Sequence, residues 1–251
     1  MSGALGIIPA RYGSTRFPGK VLHPLCGKPL IQWVWERARQ AVRLDEVWVA
    51  TDDDRVASTV AAFGGRVCLT RPEHPSGTDR VAEAAAAADA AIIVNIQGDE
   101  PLIAPALIDA LVDALTGGEE WDMATAATPL ATPAQRAEPA VVKVVCARDG
   151  RALYFSRALI PHVREKGGVE SGEPLYWRHV GVYGYWRSFL ETLVQTPPCA
   201  LENAEKLEQL RALYIGGRIK VVPTEQAALG VDEPVDVAAA EAALRAAGIA
   251  E

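Results

Sequence analysis

Three basic side chains fall close together near the start of the sequence: Arg11, Arg16 and Lys20, in a segment that also holds Gly13 and Gly19. Glycine lets backbone N–H groups come close to a ligand, and arginine grips phosphate through two parallel hydrogen bonds. The segment follows the apolar run that begins at Leu5, so it reads as a loop leaving the carboxyl end of a first strand. Two readings are open on these residues alone: a polyphosphate cradle, or a basic surface loop that aids solubility. Acids complementary to a cradle occur far along the chain. Asp99 stands in Gln97-Gly98-Asp99-Glu100-Pro101, directly after an apolar run, and Asp232 in Gly230-Val231-Asp232-Glu233-Pro234. Mg²⁺ is typically held by one or two carboxylates, with water and phosphate oxygens filling its other positions. Helix capping is the competing role for each acid, because a Pro and then a helical pattern follow both. Ser76-Gly77-Thr78-Asp79-Arg80 sets small hydroxyls at a helix start, where free N–H groups suit anionic ligands or where Ser76 or Thr78 is only a cap. His74 has no second histidine at metal-ligand spacing and reads as a solvent-exposed loop residue. No Ser-His-Asp arrangement or nucleophile elbow is present.

The elements that must position these residues alternate between strand and helix. The pattern predicts a helix over 30–41, a strand over 46–51, an Asp-capped helix ending near 64–65, a strand over 66–69, a helix through 88 capped by Thr78, a strand over 90–96 and a helix over 105–116. Such alternation gives a mostly parallel sheet covered on both faces, with ligands at the carboxyl ends of its strands. Beyond Trp121 the pattern becomes β-rich. Strands are expected over 123–128 and 180–185, and a hairpin joins 141–146 to 152–156 through Asp149-Gly150. This region reads as an inserted β lobe or arm over about 129–186, with exposed aromatics at Tyr176, Trp177, Tyr183, Tyr185 and Trp186. One helix is expected over 202–214, a strand over 219–222, and an Ala-rich helix to close.

The 251 residues are 49% hydrophobic and 23% charged, as in a soluble protein with a substantial core. A net charge of -7 argues against general nucleic-acid binding but not against an anionic small substrate met by a local basic cluster. The four cysteines are isolated, which indicates no zinc site; Cys68 and Cys146 read as reduced core thiols of a cytoplasmic protein. No apolar run is long enough to insert in a membrane.

Ile8-Pro9-Ala10-Arg11-Tyr12-Gly13-Ser14-Thr15-Arg16-Phe17-Pro18-Gly19-Lys20 closely resembles the nucleotide loop of the 3-deoxy-manno-octulosonate (Kdo) cytidylyltransferases, or CMP-Kdo synthetases. The resemblance continues through Gly27-Lys28-Pro29-Leu30, Val49-Ala50-Thr51-Asp52, Ser76-Gly77-Thr78-Asp79-Arg80 and Val94-Asn95-Ile96-Gln97-Gly98-Asp99-Glu100-Pro101. It extends to Ala152-Leu153-Tyr154-Phe155-Ser156-Arg157, Arg178-His179-Val180-Gly181-Val182-Tyr183-Gly184-Tyr185, Leu207-Glu208-Gln209-Leu210-Arg211 and Gly230-Val231-Asp232. These blocks stand in family order over nearly the whole chain. The resemblance implies a single nucleotidyltransferase-type (Rossmann-like) α/β domain with a β-rich dimerisation region, hence a homodimer. It implies transfer of CMP from CTP to Kdo with Mg²⁺, giving CMP-Kdo and pyrophosphate; a related acid sugar such as an amino-Kdo is the alternative acceptor. It further implies Arg11, Lys20 and Asp99 as catalytic residues and Asp99 with Asp232 as metal ligands. Ala10, Arg11, Ser14, Lys20, Ser76, Gly77, Thr78 and Arg80 would bind the nucleotide, and Arg71, Gln97, Arg157, His179, Tyr183, Glu208 and Gln209 the acid sugar.

Overall fold

The computed structural model describes residues 3–14, 16–130, 132–164, 174–225 and 229–250. The chain divides into two compact units, one formed by 1–112 with 228–251 and the other by 113–227. The segment 129–186 falls inside the second.

The first unit is built on a parallel sheet. Its first strand, β1 (Ala4–Pro9), is buried along nearly its whole length. After it come a short hairpin, β2 (Pro24–Leu25) and β3 (Lys28–Pro29), then α1 (Leu30–Ala38), β4 (Glu46–Thr51), α2 (Asp54–Ala62), β5 (Arg66–Leu69), α3 (Gly77–Ala86), β6 (Ile92–Asn95) and α4 (Pro105–Thr116). β1 pairs in parallel with β4 on one side and β6 on the other, with Ile7 opposite both Trp48 and Asn95; β5 lies outside β4. The chain thus builds outward from β1 to β5 and then crosses back to β6. Loops leaving β1 and β6 flank the point where strand order reverses, which is where an open α/β sheet leaves a crevice.

Capping residues fix the helix starts. Asp53 accepts from Arg55 N at 2.9 Å to open α2. At α3 the cap is Ser76, whose Oγ accepts from Asp79 N at 3.2 Å, whereas Thr78 lies inside the first turn and is buried. The serine wins because it precedes the first helical residue and still has extended backbone, the geometry an N-cap needs.

In the second unit β7 (Met123–Pro129) and α5 (Pro133–Ala137) precede β8 (Lys143–Cys146), β9 (Ala152–Ser156) and β10 (Trp177–Trp186); α6 (Arg187–Gln195), α7 (Ala200–Glu205), α8 (Gln209–Tyr214) and β11 (Ile219–Pro223) follow. β7 pairs antiparallel with β10 and in parallel with β11, and β8 pairs antiparallel with β9 and β10. The Asp149-Gly150 turn joins β8 to β9, with Gly150 at φ +81°.

Three expectations change here. The helix expected over 202–214 is two helices, because Lys206 adopts left-handed geometry at φ 55°, ψ 47° and ends α7. That break lets Arg211 fold back on Glu202 through two bonds of 2.6 and 2.8 Å, both side chains buried. Of the aromatics expected outside, Tyr176 and Tyr185 are buried and Trp177, Tyr183 and Trp186 are half-buried. Cys146 is exposed and Cys68 half-buried because both lie on short strands with outward-facing positions; all four cysteines are free thiols.

The chain returns to the first unit as α9 (Asp236–Ala246). Ala240 and Leu244 of α9 pack with Leu25, Leu30, Trp33 and Val231 in a small apolar cluster. That packing carries 230–232 to the end of β6, where Val231 N donates to Asp99 O at 2.9 Å.

Candidate active site

The loop leaving β1 folds on itself before it reaches α1. Ala10 N donates to Ala50 O at 2.8 Å, and the carbonyl of Tyr12 accepts from both Ser14 N (2.9 Å) and Gly19 N (3.0 Å). Gly19 sits at φ +72°, and a Cβ there would come within 3.2 Å of the Tyr12 ring. The same ring carries the Arg55 guanidinium, 3.4 Å from the ring centre. Across the crevice the turn after β6 approaches equally closely: a Cβ on Gly98 would meet Pro9 O at 2.9 Å. Only glycine fits there, and the next residue is Asp99.

Between these loops lies a cavity of about 300 Å³, lined among others by Ala10, Arg11, Ser14, Lys20, Asp99 and Asp232. Ser76, Gly77, Arg80 and Gln97 contribute to the same wall. Lys20 Nζ donates to Asp99 Oδ2 at 2.6 Å and to Asp232 Oδ1 at 3.3 Å, and Arg16 donates to the same Asp232 oxygen at 3.0 Å. Arg11 is exposed on the cavity wall, with no ion pair among the described residues.

Capping is not the role of either acid. Asp236 Oδ2 takes the N–H groups of Asp232 and Glu233, each at 2.8 Å, so the Asp232 carboxylate is left to face the loop. Asp99 lies six residues before the start of α4. Two carboxylates from distant parts of the chain converge on one cation, the Lys20 ammonium. Hard oxygen donors in that number suit Mg²⁺, so the residues present fit the metal.

Other expected nucleotide contacts are held by their neighbours. Arg80 is buried, donates to Thr70 Oγ1 at 2.5 Å and pairs with Asp52 at 3.1 Å. Those two partners sit on the turns after β4 and β5, so Arg80, from α3, ties two strand ends together beside the cavity. His74 is not a solvent-exposed loop residue: its side chain is 7% exposed, its Nε2 contacts the Glu83 carboxylate, and it lines the cavity. Burial works against ionisation of Glu83, but His74 and the Arg71 N–H groups hold its carboxyl below the usual range. Arg71 pairs with Glu83 at 3.4 Å and is largely exposed. No sequence spacing signals the His74–Glu83 contact, which depends on how α3 returns past the loop.

The remaining acid-sugar candidates lie in the second unit. His179 on β10 is buried; its Nε2 is 2.9 Å from Thr125 Oγ1, and that hydroxyl also lies 3.1 and 2.9 Å from the carbonyls of Val180 and Val182. With its one proton given to a carbonyl, the hydroxyl oxygen can accept from an Nε2–H of the neutral ring. Burial pushes the His179 pKa down to about 3, so its ring is a neutral hydrogen-bonding group and not a cation. Phe155 and Tyr183 flank it, with ring centroids 4.9 and 5.5 Å away. Tyr183 Oη donates to Gln209 Oε1 at 3.4 Å. Gln209 is buried, and its Nε2 has no hydrogen-bond partner among the described residues. Glu208 lies 3.8 Å from Arg211, whose closer partner is Glu202 at 2.6 Å. Arg157 is spanned by Glu205 and Pro139: its Nε donates to Glu205 O at 2.7 Å, its Nη1 to Pro139 O at 3.2 Å and its N–H to Glu205 Oε2 at 2.9 Å.

Known proteins similar to this chain are cytidylyltransferases. The sequence model of a cytidylyltransferase family matches residues 5–220. The chain is 50% identical over 243 residues to the 3-deoxy-manno-octulosonate cytidylyltransferase of Syntrophotalea carbinolica, covering 95% of this chain and 97% of that one. It is also 51% identical over 233 residues to the enzyme of that name from Solibacter usitatus, covering 93% and 91%. Among solved structures, a CMP:2-keto-3-deoxy-manno-octonic acid synthetase complexed with CTP superimposes with a TM-score of 0.92 at 42% identity, over 98% of this chain and 100% of that one. A cytidylyltransferase from Leptospira borgpetersenii, 20% identical with a TM-score of 0.66 over 98% and 88% of the two chains, shares the fold.

Proposed function

The chain belongs to the cytidylyltransferase family, and from that premise we propose that it transfers CMP from CTP to 3-deoxy-manno-octulosonate, giving CMP-Kdo and pyrophosphate, the activated sugar for lipopolysaccharide synthesis. The observation that carries this reading is the cavity in which Arg11, Arg16 and Lys20 stand against Asp99 and Asp232. Cations and acids gathered at one cavity suit a triphosphate and its counter-ion.

The acid sugar's anomeric hydroxyl attacks the α-phosphorus of CTP in line; a P–O bond forms to the sugar as the bond to pyrophosphate breaks. Positioning and charge stabilisation supply most of the rate enhancement in such a transfer. Arg11, with no competing ion pair among the described residues, takes the phosphates, and Lys20 steadies the departing pyrophosphate. Ala10 and Ser14 present the loop backbone to the nucleotide, Ser76, Gly77 and Arg80 line the cavity along it, and Thr78 is buried in the same helix turn. Asp99 and Asp232 would hold Mg²⁺. When bound, that ion neutralises phosphate charge and favours ionisation of the attacking hydroxyl. Arg71, Gln97, Arg157, His179, Tyr183, Glu208 and Gln209 are assigned to the acid sugar. Within that set His179 contributes hydrogen bonding, and the sugar carboxylate needs an arginine.

We further propose a cytoplasmic homodimer assembled through the β-rich second unit. Support comes from Leu153, 52% exposed on β9, a strand that among the described residues pairs with β8 alone.

The test is pyrophosphate release with CTP, Mg²⁺ and, in turn, Kdo, an amino-Kdo and sialic acid. Release with Kdo is expected. Release with sialic acid alone, or with no acid sugar, would overturn the assignment.

A further inference from the structure

The carboxylates that fit a divalent ion are already in use. Lys20 Nζ lies 2.6 Å from Asp99 and 3.3 Å from Asp232, and its side chain, 12% exposed, is more covered than either acid. Arg16 adds a second cation on the same Asp232 oxygen, 3.0 Å away. Two acids and two bases therefore form a charge-balanced cluster. We propose that Lys20 is the resident counter-ion of Asp99 and Asp232 in the nucleotide-free protein, and that it must leave them before a divalent cation is held there. The inference rests on the metal role given above to these two acids.

The physical reasons are steric and electrostatic. Mg²⁺ binds carboxylate oxygen at about 2.0–2.1 Å. An ammonium at hydrogen-bonding distance from the same two carboxylates would be left beside a double positive charge in a partly covered site, with little water between them. Lysine suits this exchange because its charge rides on a flexible stem. Its backbone stays fixed meanwhile: Lys20 N donates to Phe17 O at 3.1 Å, and Lys20 O accepts from His23 N at 3.0 Å. A triphosphate entering the cavity gives the ammonium a new anionic partner. The acids are then released to the metal in the same event, so nucleotide and metal binding become mutually favourable, a coupling that is reciprocal by linkage. Without nucleotide, the protein holds the metal weakly.

The experiment is equilibrium binding of Mn²⁺ alone to the full, nucleotide-free chain, read by titration calorimetry or by the spectrum of free Mn²⁺. Lys20→Met and Lys20→Gln, which keep the stem and remove the charge, should each bind Mn²⁺ at least about tenfold more tightly than the unaltered protein. Lys20→Arg, which keeps a cation, should bind as weakly as the unaltered protein. Adding Asp99→Asn to Lys20→Met should abolish the gain. Equal or weaker Mn²⁺ binding by both Lys20→Met and Lys20→Gln, with Asp99→Asn still lowering affinity, overturns the counter-ion role and leaves the metal assignment standing. A gain that survives Asp99→Asn overturns both.

Discussion

At the scale of single residues, Gln209 holds a buried side-chain N–H₂ without a partner among the described residues. An unmade bond of that kind costs roughly 1–3 kcal/mol, and a site keeps such a donor where a ligand supplies the acceptor. Gln209→Leu should therefore leave folding stability unchanged or raise it by up to about 1 kcal/mol. The same change should raise KM for the acid sugar about tenfold or more, the equivalent of one lost hydrogen bond, and KM for CTP hardly at all. Urea unfolding and steady-state kinetics with each substrate varied check the two halves; equal effects on both KM values would count against the assignment. His179 gives a pH signature. Its folded pKa, about 3, lies below the ordinary value of 6.5, so the unfolded chain takes up a proton that the folded one refuses. Stability from this group is intact above pH 6.5 and falls as pH drops toward 3, by at most about 1.4 kcal/mol per pH unit. His179→Asn keeps a donor for Thr125 and should flatten that slope in unfolding curves between pH 6.5 and 4.5. An unchanged slope would mean that the ring protonates in place.

At the scale of elements, the break between α7 and α8 rests on one left-handed lysine. Lys206→Gly should stabilise the protein by roughly 0.5–1 kcal/mol, since glycine meets no Cβ penalty at that geometry, measured as a shift in urea midpoint at constant m. The apolar spacing of Leu207, Leu210 and Leu213 was legible as helix, but nothing local announced the break. It brings together the buried Glu202–Arg211 pair, a contact between residues nine apart that an unbroken helix would not make in this form. The same distinction runs through the site. Strand ends could be read from runs such as 46–51 and 66–69, because apolar continuity and turn residues are local signals. The capping choice between Ser76 and Thr78, the burial of His74 and the tethering of Arg80 depend on partners brought in by other elements. The cradle itself was legible as residue types in one loop; that Lys20 spans two acids from distant parts of the chain was not.

At the scale of the molecule, net charge and local charge point in opposite directions. A chain of net charge -7 gathers Arg11, Arg16 and Lys20 around one cavity, so its attraction for a nucleotide is local. Assembly is the property to test at this scale. Leu153→Lys puts a charge on the outer strand of the second unit and should shift sedimentation from dimer to monomer at micromolar concentration; an unmoved dimer would place the interface elsewhere. One residue of the same unit has a use of a different kind. Lys143 is fully buried, and its Nζ donates to the carbonyls of Glu138, Val141 and Arg157 at 2.9, 2.7 and 2.6 Å. Burial also pushes its pKa down for as long as it stays covered. An acylating reagent can reach that nitrogen only after all three carbonyls have let it go. The rate at which Lys143 is labelled under native conditions is therefore a clock for the opening of this region, readable by mass spectrometry on the unmodified protein.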